Sequence, residues 1–232
     1  MVIAYSARGA SGFGAAAAMP LMGLVIPLKI LIPAWTLIGL GAGIALFGSD
    51  RRHIPWPTLW KLVPGCLVGI AFGLYIFKSL DSVQLARGLG AAVLIYGAYT
   101  LWNSFRPAPE FKPPRQGLAF LAGLGGGIIG TMFGTMASLF FAMYFDAIRM
   151  AKQHFSARMT AALLFIGLVR GIGYWAVGEF SRDVLLVVAM AAPMVGLGIF
   201  IGTRFHHGMS EKTFRRTVAC ALIASGTALL IK

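Results

Sequence analysis

Residues 64–73 read PGCLVGIAFG and residues 193–202 read PMVGLGIFIG, and taking them as two copies of one segment decides the fold. In each, a proline is followed five and nine residues later by glycine: Pro64, Gly69, Gly73 and Pro193, Gly198, Gly202. The spacing of 129 positions carries 64–102 onto 193–231 without a gap. It pairs Ile70 with Ile199, Arg87 with Arg216, Gly97 with Gly226 and Leu101 with Leu230. Duplicated halves packed inside a bilayer, with a solute site where they meet, are a recurrent plan of secondary transporters. The repeat therefore points to carrying rather than catalysis.

Composition agrees. The chain is 58% hydrophobic and 12% charged, with a mean hydropathy of +0.81, whereas soluble domains carry about 25% charged residues. Charge-free stretches run over 9–28, 30–49, 62–77, 88–105, 116–145, 184–203 and 217–231, and 159–178 is interrupted only by Arg170. A helix needs about 20 apolar residues to cross the hydrocarbon, and continuous apolar runs exclude the alternating pattern of a barrel strand. The expectation is an all-α polytopic membrane protein of about eight transmembrane helices in two repeated four-helix halves. Residues 1–110 form the first half and 111–232 the second, divided by the proline-rich linker around Pro107, Pro109, Pro113 and Pro114. The N-terminus, with no basic segment before its first apolar run, is expected to be retained. Glycine, at 30 residues, suits helices that approach closely in lipid.

The net charge of +13 is spread over short loops and offers no basic domain to grip nucleic acid. No Asp or Glu lies within an expected span, so neither a carboxylate relay nor an acidic cation site is visible. Cys66 and Cys220 do not correspond under the repeat, His154, His206 and His207 lie in loops without a metal-ligand spacing, and no metal or catalytic cluster is expected. Basic residues divide almost evenly between the two faces, which leaves orientation open. Repeat symmetry is open too: four spans per half make the halves parallel, and a re-entrant or broken segment in each makes them inverted.

Glycine-rich segments open both halves. The first reads Gly9-Ala10-Ser11-Gly12-Phe13-Gly14, with Met19-Pro20-Leu21 after it; the second reads Gly123-Leu124-Gly125-Gly126-Gly127, then Gly130 and Gly134. Together with Phe155-Ser156-Ala157-Arg158, the Pro193 helix and Phe214-Arg215-Arg216, they make the chain resemble the TauE/SafE sulfite-exporter family (toluenesulfonate uptake permeases) over essentially its whole length. That family's halves begin with a Gly-x-Gly-Gly-Gly segment followed by a proline. Here Ser11 and Phe13 interrupt the first run, and Phe133 stands near the place of the second proline. The resemblance implies a carrier of a small sulfur-containing anion, sulfite or an organosulfonate, in a bacterial inner membrane, working by alternating access. A carrier of another small organic anion, or a non-transport membrane protein, is the alternative. No cofactor is expected; the partners are a small anionic solute and the bilayer, with homo-oligomerisation and the coupling ion left open.

Half-helix N-termini present unpaired N–H groups to an oxyanion, and glycine lets the ligand approach them. Ser11, Gly12, Gly14, Gly125, Gly126, Gly127 and Thr131 form the expected cradle, with Thr135 and Ser138 as further donors; glycines that only pack helices would look the same. Pro20, Pro64 and Pro193 are the expected hinges. Arg170 lies twelve residues after Arg158, about 18 Å along a helix. An arginine at that depth costs on the order of 3 kcal/mol unless partnered, and its planar fork matches sulfite or sulfonate oxygens. Binding helix-end carbonyls, or marking a span that begins after it, is the other role open to Arg170.

Overall fold

The computed structural model describes residues 14–47, 59–103, 117–134, 136–147, 152–204 and 211–231. Among these the regular structure is helical, with no strand: α1 (Gly14–Gly23), α2 (Leu28–Phe47), α3 (Val63–Ser79), α4 (Ser82–Asn103), α5 (Leu118–Phe133), α6 (Ala137–Ala147), α7 (Lys152–Ala176), α8 (Arg182–Arg204) and α9 (Glu211–Ile231). Within them the stretch Met159–Ala176 is long and apolar enough by itself to cross a membrane, and Leu28–Ile44, Val63–Ser79, Leu118–Phe133 and Leu222–Ile231 are shorter apolar stretches. Large apolar side chains also cover the outside, among them Phe72 and Tyr75 on α3, Ile172 and Trp175 on α7 and Met190 on α8. A surface of that kind suits lipid rather than water.

Two compact units are present. One comprises 32–80 and 111–188, the other 1–31, 81–110 and 189–232, so each draws on both sides of residue 110.

The first unit is organised by a glycine seam. Gly65, Gly69 and Gly73 recur every four residues on α3, as Gly123, Gly127 and Thr131 do on α5. A Cβ on Gly69 would lie 3.1 Å from Gly127 Cα, one on Gly127 2.8 Å from Cys66 O, and one on Gly73 2.9 Å from Thr131 Cβ. Only hydrogens allow backbones this close, the packing that small-residue repeats serve in membranes. Residue numbers rise together along the seam, so α3 and α5 run parallel. α7 keeps the same direction: Cys66 shares an apolar crevice with Ala162, and further on Phe77 meets Tyr174 edge-on at a centroid distance of 5.2 Å. α2 and α6 run the opposite way. Leu40 sits over Gly167 and Gly171 while Leu164 sits over Gly43, and Ala137 abuts Gly130 while Phe141 abuts Gly126.

One expectation is corrected here. The charge-free run 116–145, counted as a single span, is two antiparallel helices of 16 and 11 residues. At 1.5 Å per residue these measure about 24 Å and 17 Å, each short of the roughly 30 Å hydrocarbon core. The chain turns because Gly134 (φ 70°) closes α5 in the left-handed region and Met136 (φ 69°) follows it there. A glycine accepts that geometry freely, whereas a methionine does so at a cost of about 1–2 kcal/mol.

In the second unit α9 packs on α4 and α1. A Cβ on Gly90 would meet Gly226 O at 2.8 Å, and one on Gly226 would meet Leu94 Cγ at 2.9 Å. Positions 129 apart share their environments: Val93 and Leu222 are buried, Gly97 and Gly226 are buried, and Ala91 and Cys220, Ile95 and Ala224, and Ala98 and Thr227 are exposed. Both helices also begin 129 apart, at Ser82 and Glu211.

The prolines fall differently. Pro64 occupies the first turn of α3, where its missing N–H costs nothing, while Pro193 and Pro20 lie inside α8 and α1. Pro27 precedes α2 and its carbonyl accepts from Ile30 and Leu31, whereas Pro33 lies within the helix.

Candidate functional site

The polar centre of the first unit is the last turn of α5. A helix C-terminus leaves its final carbonyls without intrahelical donors, and in lipid no water supplies them. Gly134 N–H donates to Gly130 O at 2.9 Å. Two side chains from α7 complete the set: Arg170 Nη1 donates to the same Gly130 carbonyl, and the Tyr174 hydroxyl donates to the Thr131 carbonyl. Their spacing of four residues puts both on one face of α7, one turn apart, to cap adjacent carbonyls.

That face also carries Ala162 and Ile166, so a guanidinium stands in an otherwise apolar buried stripe. Arg170 is 6% exposed and Tyr174 and Thr131 are fully buried. No acidic side chain pairs with Arg170 among the described residues. The negative end of the α5 dipole offsets part of its charge.

Two polar atoms in this centre are unsatisfied. Arg170 Nε and Thr131 Oγ1 are buried and have no hydrogen-bond partner among the described residues. Threonine within a helix ordinarily bonds a carbonyl one turn back, as Thr36 does to Ile32 at 3.0 Å. Thr131 does not. Its side chain lies against α3, where Gly73 leaves room for it. A buried donor left unmade costs about 1–3 kcal/mol, and each such group calls for an explanation.

The residues singled out from sequence are distributed as follows. Thr131 and Arg170 come together around Gly130. Gly125, Gly126 and Gly127 lie in the middle of α5, where the helix uses their N–H groups, and neighbours occupy the space a side chain would need: Phe140 over Gly125, Phe141 over Gly126, Cys66 and Gly69 over Gly127. They are the packing glycines of the seam and of the α5–α6 hairpin. Gly14 opens α1 in the other unit. Ser11, Gly12 and Thr135 lie outside the described residues, and Ser138 sits in the first turn of α6. Tyr174 and Gly130 were not among the expected site residues. The signal for Tyr174 was its position four residues after Arg170.

The chain matches the family model described as "Sulfite exporter TauE/SafE" over residues 1–229. It is 26% identical over 209 residues to the probable sulfite/organosulfonate exporter TauE of Cupriavidus necator, covering 88% of this chain and 80% of that one. It is 25% identical over 209 residues to the probable inner membrane transporter protein TsaS of Comamonas testosteroni, covering 89% and 81%. No solved structure matches the chain.

Proposed function

The chain belongs to the sulfite exporter TauE/SafE family, which makes it a membrane transporter rather than an enzyme, and we propose that it carries a small sulfur oxyanion, sulfite or an organosulfonate, across the bacterial inner membrane. The observation that carries the assignment of the site is the buried Arg170, with no acidic partner among the described residues and Nε unsatisfied, beside a Thr131 hydroxyl that is also unsatisfied. A guanidinium N–H and a hydroxyl are the donors an oxyanion accepts from, and a dry setting strengthens both bonds. Gly130 holds one arm of the guanidinium, so the fork reaches the solute already oriented. Gly127 serves by letting α5 lie close to α3, and Gly125 and Gly126 by letting α6 fold back against α5. Ser138, in the first turn of α6, stands where a helix N-terminus adds partial positive charge.

The halves are related as inverted repeats. Ile38-Gly39-Leu40 and Gly43-Ile44 on α2 recur as Ile166-Gly167-Leu168 and Gly171-Ile172 on α7, 128 positions on. The contacts between Leu40 and Gly167 and between Gly43 and Leu164 make these helices antiparallel. Equivalent helices of opposite direction are what an axis in the membrane plane produces. The α5–α6 hairpin is the broken segment that changes the count of crossings from an even to an odd offset. Alternating access is the mode of transport this reading takes, with Pro193, inside α8, as a place to bend.

Counterflow of labelled sulfite in proteoliposomes, competed with taurine, thiosulfate, sulfate and acetate, tests the substrate class. Saturable exchange suppressed by the sulfur anions is expected. Saturable exchange suppressed equally by acetate would favour a general organic-anion carrier, and no exchange in folded protein would end the transport reading for these solutes.

A further inference from the structure

We propose that Tyr174 is a positioning residue for substrate: by holding the Thr131 carbonyl it keeps the Arg170 guanidinium from closing over both carbonyls of the α5 terminus, and so leaves arginine donors for the anion. This rests on Arg170 being the substrate's charge partner.

Gly130 and Thr131 present adjacent carbonyls at the end of α5, and two donors reach them from α7. The guanidinium is a fork able to make two parallel hydrogen bonds. With the Thr131 carbonyl vacant, a charged donor one turn away would fork across both carbonyls, because an unpaired buried carbonyl is costly and a charge-assisted bond is stronger than a neutral one. The phenol prevents this. Its ring is fully buried, fixed edge-on to Phe77 at 5.2 Å and tilted to Phe180 at 6.5 Å, and the backbone behind it is pinned where Glu179 N–H donates to Tyr174 O at 2.9 Å. Tyr174 therefore occupies its carbonyl without competing for the solute, while Arg170 Nε stays unsatisfied.

Tyr174→Phe removes the hydroxyl and keeps the ring between Phe77 and Phe180, which preserves the packing. The experiment measures concentration-dependent sulfite counterflow for the wild type, Tyr174→Phe, Arg170→Gln and the double variant, each checked for folding by size-exclusion chromatography and thermal unfolding. The expected result is a KM raised about fivefold or more by Tyr174→Phe at similar maximal rate, and no further rise when Tyr174→Phe is added to Arg170→Gln, because the hydroxyl acts only through the guanidinium. An unchanged KM in Tyr174→Phe overturns the inference. So does a full additional rise in the double variant, which would mean a packing effect independent of Arg170. If Arg170→Gln itself leaves KM unchanged, the assignment of Arg170 to the substrate fails, and a KM effect of Tyr174→Phe then has to be structural.

Discussion

At the scale of the residue, the proposed reading gives Arg170 two duties that sequence could pose only as alternatives. One nitrogen caps the end of α5 through Gly130, while Nε is unsatisfied among the described residues and is the donor we assign to a ligand. Arg170→Gln keeps a donor of reduced reach and loses the charge; sulfite affinity measured by equilibrium binding should fall at least about tenfold, the equivalent of about 1.4 kcal/mol. Thr131→Val preserves the shape that fills the space beside Gly73 and deletes the hydroxyl. It should weaken binding by about 1 kcal/mol, the net worth of a typical hydrogen bond, while Thr131→Ser restores most of the affinity. Equal affinities for the valine and threonine forms would remove Thr131 from the site. The charge of Arg170 was legible because a lone arginine in an apolar run is conspicuous. Its carbonyl partner was not, since Gly130 is 40 residues away and meets it only through the way α5 ends.

The helices themselves divide into those whose ends sequence announces and those whose ends depend on backbone geometry. Prolines, charges and the repeat place α3, α4, α8 and α9. The break between α5 and α6 escaped because Thr, Met and Ala follow Gly134 and none of them is a helix stopper; the turn is enforced by contacts of Ala137 with Gly130 and Phe141 with Gly126. Met136 pays for that turn with a left-handed conformation. Met136→Gly should raise the thermal unfolding midpoint in detergent, by an amount corresponding to roughly 1 kcal/mol, and a lowered midpoint would show that the methionine side chain contributes more than the strain costs. The glycine runs were legible as either cradle or packing surface. A Cβ added at Gly69, Gly73 or Gly127 would come within 2.4–2.9 Å of the facing helix, which assigns these glycines to packing. Gly69→Ala should therefore destabilise the protein by about 1–3 kcal/mol, as overpacking does, and an unfolding curve superimposable on the wild type would refute the tightness of the seam.

For the whole molecule, the inverted relation proposed above has a topological consequence. Ser79, the last residue of α3, and Gly208 are equivalent under the 129-residue offset. Single cysteines at these two positions, in a chain with Cys66 and Cys220 replaced, should be labelled by a membrane-impermeant maleimide from opposite faces. Labelling from the same face would make the repeats parallel. Arg170, by contrast, is not duplicated: the position on α2 that matches it is Ala42. A carrier built this way is expected to bind one anion per chain, which a calorimetric stoichiometry near one would bear out and a stoichiometry near two would refute.

The seam between α3 and α5 is built like a plain bearing. Interlocked side chains would act as teeth, fixing two helices at discrete settings separated by rotamer changes, but a face of glycines presents a nearly smooth track with no rotamer barrier to an axial slip of one parallel backbone along the other. Thr131, at the end of that track, belongs to α5 while Arg170 and Tyr174 belong to α7, so a small axial slip of α5 against α7 would make or break the grip on the α5 terminus without any helix unwinding.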